Sequence, residues 1–301
     1  MNEWIRDSKK QVSEFSFSYG KVTLCGILIS ISLVSVSLIV PHVSPQKLEV
    51  SFLDIGQGDA ILITSPSGKQ MLVDGGPTQK IIEELSQHIS YFDRTLDVVV
   101  ATHPDADHVT GLIPVLEKYK VSMVVISPSG GHTGIYNEVK NRIKVEDADV
   151  HVGAQGDVID FGDGVIAKIL YPSKNYIKKK DDTNDASVSM VIAYGDESIL
   201  LTGDLPSTEE DELLRAGLPK NITIYKAGHH GSKYSSGEQL LSYSKPEYSV
   251  ISAGKNNKYG HPNPEALERL QKYSKEILST IDKGVITFVL DGKSTEVLTE
   301  K

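Results

Sequence analysis

The chain has 301 residues, of which 39% are hydrophobic, a composition typical of a globular α/β protein with one large domain and an appendage or with two modest domains. Its formal net charge of −9 argues against a strongly basic, phosphate-binding surface. The single cysteine, Cys25, excludes a disulfide framework and a thiolate metal site.

The first predicted element is an uncharged stretch, residues 22–40, about as long as a helix that crosses a bilayer. The polar leader before it, residues 1–21, carries the basic residues Arg6, Lys9, Lys10 and Lys21. Because basic residues favour the cytoplasmic side, we expect a single-pass protein of the cell membrane whose remaining domain is extracellular. A cleaved signal peptide is the alternative, and the protein would then be secreted.

Short apolar runs separated by glycine-bearing turns follow this segment and predict β-strands. The predicted strands are 48–55, 60–64, 70–73, 96–101, 121–126, 186–194, 198–201, 222–225 and 248–251. Helical spacing of apolar residues predicts helices at 81–90, 109–119, 238–244 and 264–273. Strands followed by strand–helix alternation occur twice, which predicts an α/β fold of two sheets packed face to face with helices outside.

The most informative motif follows the predicted strand 96–101. Within six positions it collects His103, Asp105, Asp107 and His108 in a tight strand-to-helix turn. Without a cation, grouping these imidazoles and carboxylates is costly, and mixed nitrogen and oxygen ligands suit Zn, Mn or Fe. The turn therefore predicts a metal site, with a solvated polar turn as the alternative.

Other ligand-type side chains also follow predicted strands: Asp74, Asp204 and the pair His229-His230. Each one alone is compatible with a turn aspartate or a half-buried histidine. Together they predict one shared site, because α/β sheets place their chemistry where strands end.

Six blocks of the sequence resemble the metallo-β-lactamase fold superfamily and, more closely, the soluble domain of the ComEC/Rec2 competence proteins. In chain order the blocks are 52–60 (FLDIGQGDA), 73–76 (VDGG), 102–108 (THPDADH), 201–204 (LTGD), 229–232 (HHGS) and 259–262 (YGHP). The resemblance covers residues 48–298. It implies an αββα sandwich, the metallo-β-lactamase fold, with one or two divalent ions, Zn or Mn, at one edge.

The sequence departs from the superfamily pattern H-x-H-x-D-H at the first of two metal positions. Asp105 replaces the second histidine with a hard oxygen ligand, which favours Mn²⁺ or Fe over Zn²⁺. The superfamily's third histidine has no counterpart in residues 183–187, where only Asn184 or Asp185 could ligate. The second position is complete and comprises Asp107, His108, Asp204 and one of His229 or His230.

The resemblance implies a metal-dependent hydrolase of a phosphodiester substrate such as DNA, and the uncharged stretch 22–40 predicts that this hydrolase is anchored at the outer face of the membrane. Asp204 would bridge the metals, Asp107 would also orient the attacking water, and His261 would stabilise or protonate the leaving group. Asp59 and Asp74 would orient the ligands from behind. The alternatives are a small phosphoester or cell-wall ester as substrate, or a non-catalytic metal-binding module. No protein partner is inferred.

Overall fold

The computed structural model describes residues 47–177 and 183–301. The predicted leader and anchor lie outside these ranges, so the anchor stays a prediction. Within the two ranges, none of the helices combines the length and the apolar character that a bilayer span requires.

Two β-sheets of eight and seven strands form the centre of the described residues. The first sheet contains β1 (Leu48–Phe52), β2 (Ile61–Thr64), β3 (Gln70–Val73), β4 (Thr95–Ala101), β5 (Lys120–Ile126), β6 (Asp149–Val152), β14 (Ile286–Leu290) and β15 (Thr295–Thr299). The second contains β7 (Val158–Asp160), β8 (Val165–Tyr171), β9 (Ser189–Tyr194), β10 (Glu197–Leu201), β11 (Ile224–Lys226), β12 (Tyr248–Ile251) and β13 (Glu276–Ser279). The strand orders are β15-β14-β1-β2-β3-β4-β5-β6 and β13-β12-β11-β10-β9-β8-β7.

The helices cover the outer faces of both sheets. They are α1 (Lys80–His88), α2 (Ala106–Val109), α3 (Leu112–Lys118), α4 (Gly134–Glu146), α5 (Asp211–Arg215), α6 (Glu238–Ser244), α7 (Pro264–Tyr273) and α8 (Thr280–Lys283). The side-chain alternation of β4 shows how the layers form: Val98 and Val100 pack between the sheets, whereas Val99 and Ala101 pack against the helices. The predicted sandwich of two sheets between helices is therefore confirmed.

Both sheets contain a run of parallel strands. In the first sheet β3, β4, β5 and β6 are parallel neighbours, and in the second β10, β11, β12 and β13 are. All strands of such a run end at the same edge of their sheet. The loops that follow β3, β4, β10, β11 and β12 therefore can meet at one edge of the sandwich.

The predicted helix 109–119 is wrong in one respect, because the structure interrupts it between α2 and α3. Gly111 N–H donates to the carbonyl oxygen of Gly76 at 2.9 Å. The backbones approach so closely that a Cβ on Gly111 would lie 1.9 Å from the carbonyl oxygen of Gly75. Gly75 N–H donates in turn to the carbonyl oxygen of His108 at 2.7 Å. The interruption thus ties the turn after β3 to the metal-ligand motif after β4.

Candidate metal centre

Three ligand-type atoms from three loops converge at nearly equal spacing, and a fourth, Asp107 Oδ2, lies beside one of them. His108 Nε2 lies 3.3 Å from His230 Nε2 and 3.3 Å from Asp204 Oδ2. His230 Nε2 lies 3.4 Å from Asp204 Oδ2 and 3.5 Å from Asp107 Oδ2. Ligand atoms about 2.0–2.1 Å from a tetrahedral Zn²⁺ are about 3.4 Å apart, which matches these distances. The residues present therefore fit a divalent metal ion.

The ring nitrogens that point away from this group are held by acceptors. His108 Nδ1–H donates to Asp74 Oδ2 at 2.7 Å, and His230 Nδ1–H donates to the carbonyl oxygen of Ser252 at 2.9 Å. Asp74 also accepts from the backbone N–H and the hydroxyl of Thr102, at 2.8 and 2.7 Å. These bonds place a proton on each Nδ1 and aim both Nε2 lone pairs at the converging group.

Asp59 lies on the opposite side of the two imidazole rings. Asp59, His108, Asp204 and His230 are all buried, offer ligand atoms within 4.8 Å of one another and form a potential metal site. Asp59 Oδ1 nevertheless lies 3.4 Å from His230 Nδ1, and its Oδ2 lies 2.5 Å from Lys226 Nζ. Because Asp59 already neutralises a cation and faces Nδ1, Asp107 is the better oxygen ligand on the Nε2 side.

A second, looser group lies beside the first. His103 Nε2 is 3.9 Å from both Asp105 Oδ2 and Asp204 Oδ2. His103 is fully buried, and its Nε2 has no hydrogen-bond partner among the described residues. Asp105 is turned toward this group and accepts a hydrogen bond of 2.5 Å from Thr183 Oγ1. The weaker convergence agrees with an incomplete first metal position.

The segment in which the third histidine is missing lies next to Asp105 through Thr183. Asn184 and Asp185 belong to the 3₁₀ turn Asn184–Ala186. Asp185 is buried, and its carbonyl oxygen accepts from Tyr171 OH at 2.8 Å. Both residues thus directly follow Thr183, the residue that contacts Asp105.

Both histidines of the pair contact Asp204. His229 Nε2 lies 3.4 Å from Asp204 Oδ2, but the His229 side chain is 31% exposed. His230, in contrast, is buried within the first, tighter group, which comprises His108, His230, Asp204 and Asp107. Both residues have left-handed backbone conformations, with φ of 49° and 56°. Such values are uncommon outside glycine and often mark functional sites. This backbone turns two consecutive rings toward one carboxylate.

The charges of the tighter group favour a cation. Burial opposes ionisation of Asp204, but His230 and His108 outweigh it and hold the pKa of that carboxyl well below its usual value. Burial opposes protonation of His108, but Asp204 and Asp74 outweigh it and raise its pKa well above the usual value. Burial and His108 lower the pKa of His103 to about 3, so that its ring is neutral and ready to ligate. A metal ion would replace the imidazolium protons.

The loop after β12 places His261 at the rim of this centre. The rings of His261 and His229 have centroids 5.4 Å apart, and Tyr259 stacks on His261 at 5.8 Å. Asn257 braces the loop: its Oδ1 accepts from the N–H groups of Tyr259 and His261, and its Nδ2 donates to the carbonyl oxygens of Gly254 and His261. The pocket at this rim is lined by Gln57, Asp105, Asp107, Asp204, His229, His230, Tyr259 and His261.

Burial and the neighbouring His229 and His230 lower the pKa of His261 to about 4. The His261 ring is therefore neutral at pH 7. A neutral imidazole suits hydrogen-bond donation to a leaving group better than full proton transfer.

The turn before Asp59 requires a glycine at position 58, because it packs closely against the backbone of Asp107. The φ of Gly58 is +126°, and a Cβ at this position would lie 2.0 Å from the carbonyl oxygen of Asp107. The N–H of Asp59 donates to the same oxygen at 3.4 Å. The turn 54–60 therefore packs directly on the backbone of a candidate ligand.

Sequence reasoning missed Lys226 and Asn257. Lys226 is 1% exposed, and its Nζ contacts Asp59 Oδ2 at 2.5 Å and Asp204 Oδ1 at 3.7 Å. Burial opposes its charge, but Asp59 and Asp204 outweigh it and raise its pKa above the usual value. The sequence did contain one indication of this contact, because Lys226 lies in an apolar strand just before the histidine pair. Lysine is almost never fully buried without a partner of opposite charge, so a buried partner could have been expected.

The chain is similar to several known proteins. Residues 53–167 match the family model of the metallo-beta-lactamase superfamily. ComE operon protein 3 of Bacillus subtilis (strain 168) is 31% identical over 258 residues, which are 80% of this chain and 33% of that protein. Recombination protein 2 of Haemophilus influenzae is 29% identical over 92% of this chain and 32% of its own length. Competence protein ComA of Neisseria gonorrhoeae is 28% identical over 83% and 33%.

The chain thus spans about a third of the length of these relatives. Among solved structures, CmlA, a diiron beta-hydroxylase from Streptomyces venezuelae, superposes with a TM-score of 0.50 at 12% identity, over 78% of this chain and 53% of that one. That likeness concerns the fold alone. Residues 53–167 thus match a metallo-β-lactamase superfamily domain, and the homologues of the chain are the ComE operon protein 3, Rec2 and ComA competence proteins.

Proposed function

We propose that this chain is a metal-dependent hydrolase of phosphodiester bonds, with DNA as the substrate that the homology to competence proteins favours. The observation that carries the proposal is the convergence of His108 Nε2, His230 Nε2 and Asp204 Oδ2 at 3.3–3.4 Å from one another, with Asp107 Oδ2 3.5 Å from His230 Nε2. A structural metal is enclosed by its protein ligands, whereas Asp107 is partly exposed and lines a pocket, so that an ion held here would face this pocket on one side.

These four residues would hold one ion tightly, and His103, Asp105 and Asp204 would hold a second one weakly. When bound, a divalent ion would polarise the phosphoryl oxygen and lower the pKa of a nearby water. Asp107 accepts a hydrogen bond from the attacking water and orients it toward phosphorus. His261, held by the braced loop, donates a hydrogen bond to the departing oxygen.

The acidic chain predicts only modest affinity for a polyanion. With a formal net charge of −9, binding of DNA relies on the centre itself rather than on a basic surface. We therefore expect short single-stranded ends to be better substrates than long duplexes, because fewer phosphates then face the acidic surface.

We also propose that residues 22–40 anchor the domain at the outer face of the cell membrane. The four basic residues before this uncharged stretch support that orientation. Protease added to intact cells should remove the domain. Complete protection in sealed cells would reverse the topology, and release of the domain into the medium would favour a cleaved signal peptide.

The activity is tested with the purified full chain and a panel of substrates. Bis-(p-nitrophenyl) phosphate, end-labelled single- and double-stranded DNA, p-nitrophenyl phosphate and a carboxylic ester are each assayed with Zn²⁺ or Mn²⁺. We expect metal-dependent cleavage of the phosphodiesters and none by the Asp204→Ala variant. Hydrolysis of only the monoester or the carboxylic ester by the metal-loaded chain would refute phosphodiester specificity.

A further inference from the structure

The buried ammonium of Lys226 lies next to Asp204 of the candidate metal centre. Lys226 ends β11, three residues before the histidine pair, and is 1% exposed. Its Nζ contacts Asp59 Oδ2 at 2.5 Å, donates to the carbonyl oxygen of Gly203 at 3.3 Å and lies 3.7 Å from Asp204 Oδ1. One buried cation therefore contacts both the side chain of Asp204 and the residue that precedes it.

Lys226 divides the two oxygens of Asp204 between different partners. Asp204 Oδ1 faces the ammonium and makes no hydrogen bond within the described ranges. Asp204 Oδ2 faces four imidazoles, with the nearest ring nitrogens between 3.3 and 3.9 Å away: those of His103, His108, His229 and His230. Attraction of Oδ1 to a fixed positive charge keeps Oδ2 alone on the side of the histidines.

This division matters for the chemistry of the site. A carboxylate that binds an ion through both oxygens occupies two coordination positions. A carboxylate held back by a cation through one oxygen occupies a single position and leaves the other for substrate or water, as a catalytic site requires.

Asp59 completes the arrangement. Without a neighbour of opposite charge, a buried lysine would be strongly destabilising. Asp59 supplies that charge on the side of the rings away from the converging ligand atoms, so the ion pair itself does not take up a ligand of the centre.

We propose that Lys226 is a positioning residue, which holds Asp204 as a one-oxygen ligand and so keeps a coordination position open at the metal centre. This inference rests on the proposed hydrolase function. It assigns to Lys226 an effect on turnover rather than on the affinity for the metal.

The test replaces the buried ion pair by a neutral pair, with Lys226→Met and Asp59→Asn combined so that the net charge is unchanged. We expect Mn²⁺ affinity equal to or tighter than that of the wild-type chain, because the freed Asp204 gains a second bond to the ion. We expect kcat at least about tenfold lower with KM nearly unchanged, since the second oxygen of Asp204 then occupies the position that the proposal keeps open for the attacking water. The Lys272→Met/Glu238→Gln variant removes an exposed ion pair of 2.6 Å and is the matched control.

Wild-type kcat in the variant would overturn the proposal, and so would a parallel loss of kcat and of Mn²⁺ affinity. If the double variant does not fold, Lys226→Gln is measured in the same way, and the structure of the wild-type chain with Mn²⁺ decides independently. Asp204 bonded through Oδ2 alone supports the proposal, and Asp204 bonded through both oxygens refutes it. Absence of metal-dependent hydrolysis in the wild-type chain would instead refute the proposed function, before any variant is compared.

Discussion

Replacement of Asp74 by asparagine is the most specific perturbation of the centre that leaves every candidate ligand in place. Asp74 is fully buried and accepts three hydrogen bonds of 2.7–2.8 Å, two from Thr102 and one from His108 Nδ1–H. An asparagine amide has one acceptor oxygen, and its NH₂ group cannot accept. In either orientation, one N–H group, of Thr102 or of His108, therefore loses its acceptor.

The expected loss follows from these contacts. One unsatisfied buried N–H costs about 1–3 kcal/mol of the free energy of unfolding. Loss of the partner that orients a metal-ligating histidine typically costs about 10–100-fold in metal affinity. We therefore expect Asp74→Asn to lower both quantities by these amounts, while the fold is retained.

The assay is a Mn²⁺ titration of the chelator-treated chain, combined with urea unfolding without metal. Asp163→Asn is the matched control, because Asp163 accepts backbone hydrogen bonds from Ser67 and Val165 at 2.9 and 3.2 Å. Ser67 precedes β3 whereas Asp74 follows it, so the control lies at the other end of that strand. The control should lose stability and keep its metal affinity. Wild-type Mn²⁺ affinity together with wild-type stability in Asp74→Asn would refute the reasoning about the contacts of Asp74.

Three further predictions concern single residues. Asp107→Ala should abolish turnover and keep the fold, because the partly exposed carboxylate orients the attacking water; hydrolysis and circular dichroism check this. Asp105→His should shift activation from Mn²⁺ toward Zn²⁺, because a nitrogen ligand replaces a hard oxygen; activity under each metal checks this. Glu210 accepts hydrogen bonds from the N–H groups of Ser236 and Gly237, but burial outweighs them and raises its pKa from 4.5 to about 7. The free energy of unfolding should therefore fall by roughly 3 kcal/mol between about pH 4.5 and 7. Glu210→Gln should remove this dependence in urea unfolding.

The sign of the Glu210 effect follows from its raised pKa. In this pH range the unfolded chain has released the proton while the folded chain still holds it, so a rise in pH favours unfolding. Equal pH slopes for the wild-type chain and Glu210→Gln would contradict the prediction. For Asp107→Ala, retained turnover would remove this residue from the mechanism. For Asp105→His, an unchanged preference for Mn²⁺ would remove Asp105 from the metal centre.

The two-sheet sandwich and the convergence of the candidate ligands at one edge were predictable, because both follow from patterns along the sequence. Apolar alternation marks β4, and polar residues such as His103 and Asp204 follow strands that end at the same edge of the sandwich. Which histidine of the pair belongs to the tighter group was not predictable, because it depends on two left-handed residues and on the Ser252 carbonyl that orients His230.

Other features depend on contacts between distant segments. Lys226 was missed because its partner Asp59 is 167 positions away, and only the packing of the two sheets brings their side chains together. Asn257 resembles an ordinary loop residue until its four hydrogen bonds to the loop backbone are seen. The helix break at Gly111 arises from close contact with Gly75, which local propensity cannot reveal.

The central claim is that hydrolysis depends on an ion held by His108, His230, Asp204 and Asp107. The most direct measurement titrates the metal-free chain with Mn²⁺ and records, in the same samples, the bound ion per chain and the rate of bis-(p-nitrophenyl) phosphate hydrolysis. The account predicts no hydrolysis without metal, activity that appears with the first tightly held ion, and further activation as a second ion binds at higher concentration. Full hydrolysis by the metal-free chain, or saturation with metal without any hydrolysis, would contradict it.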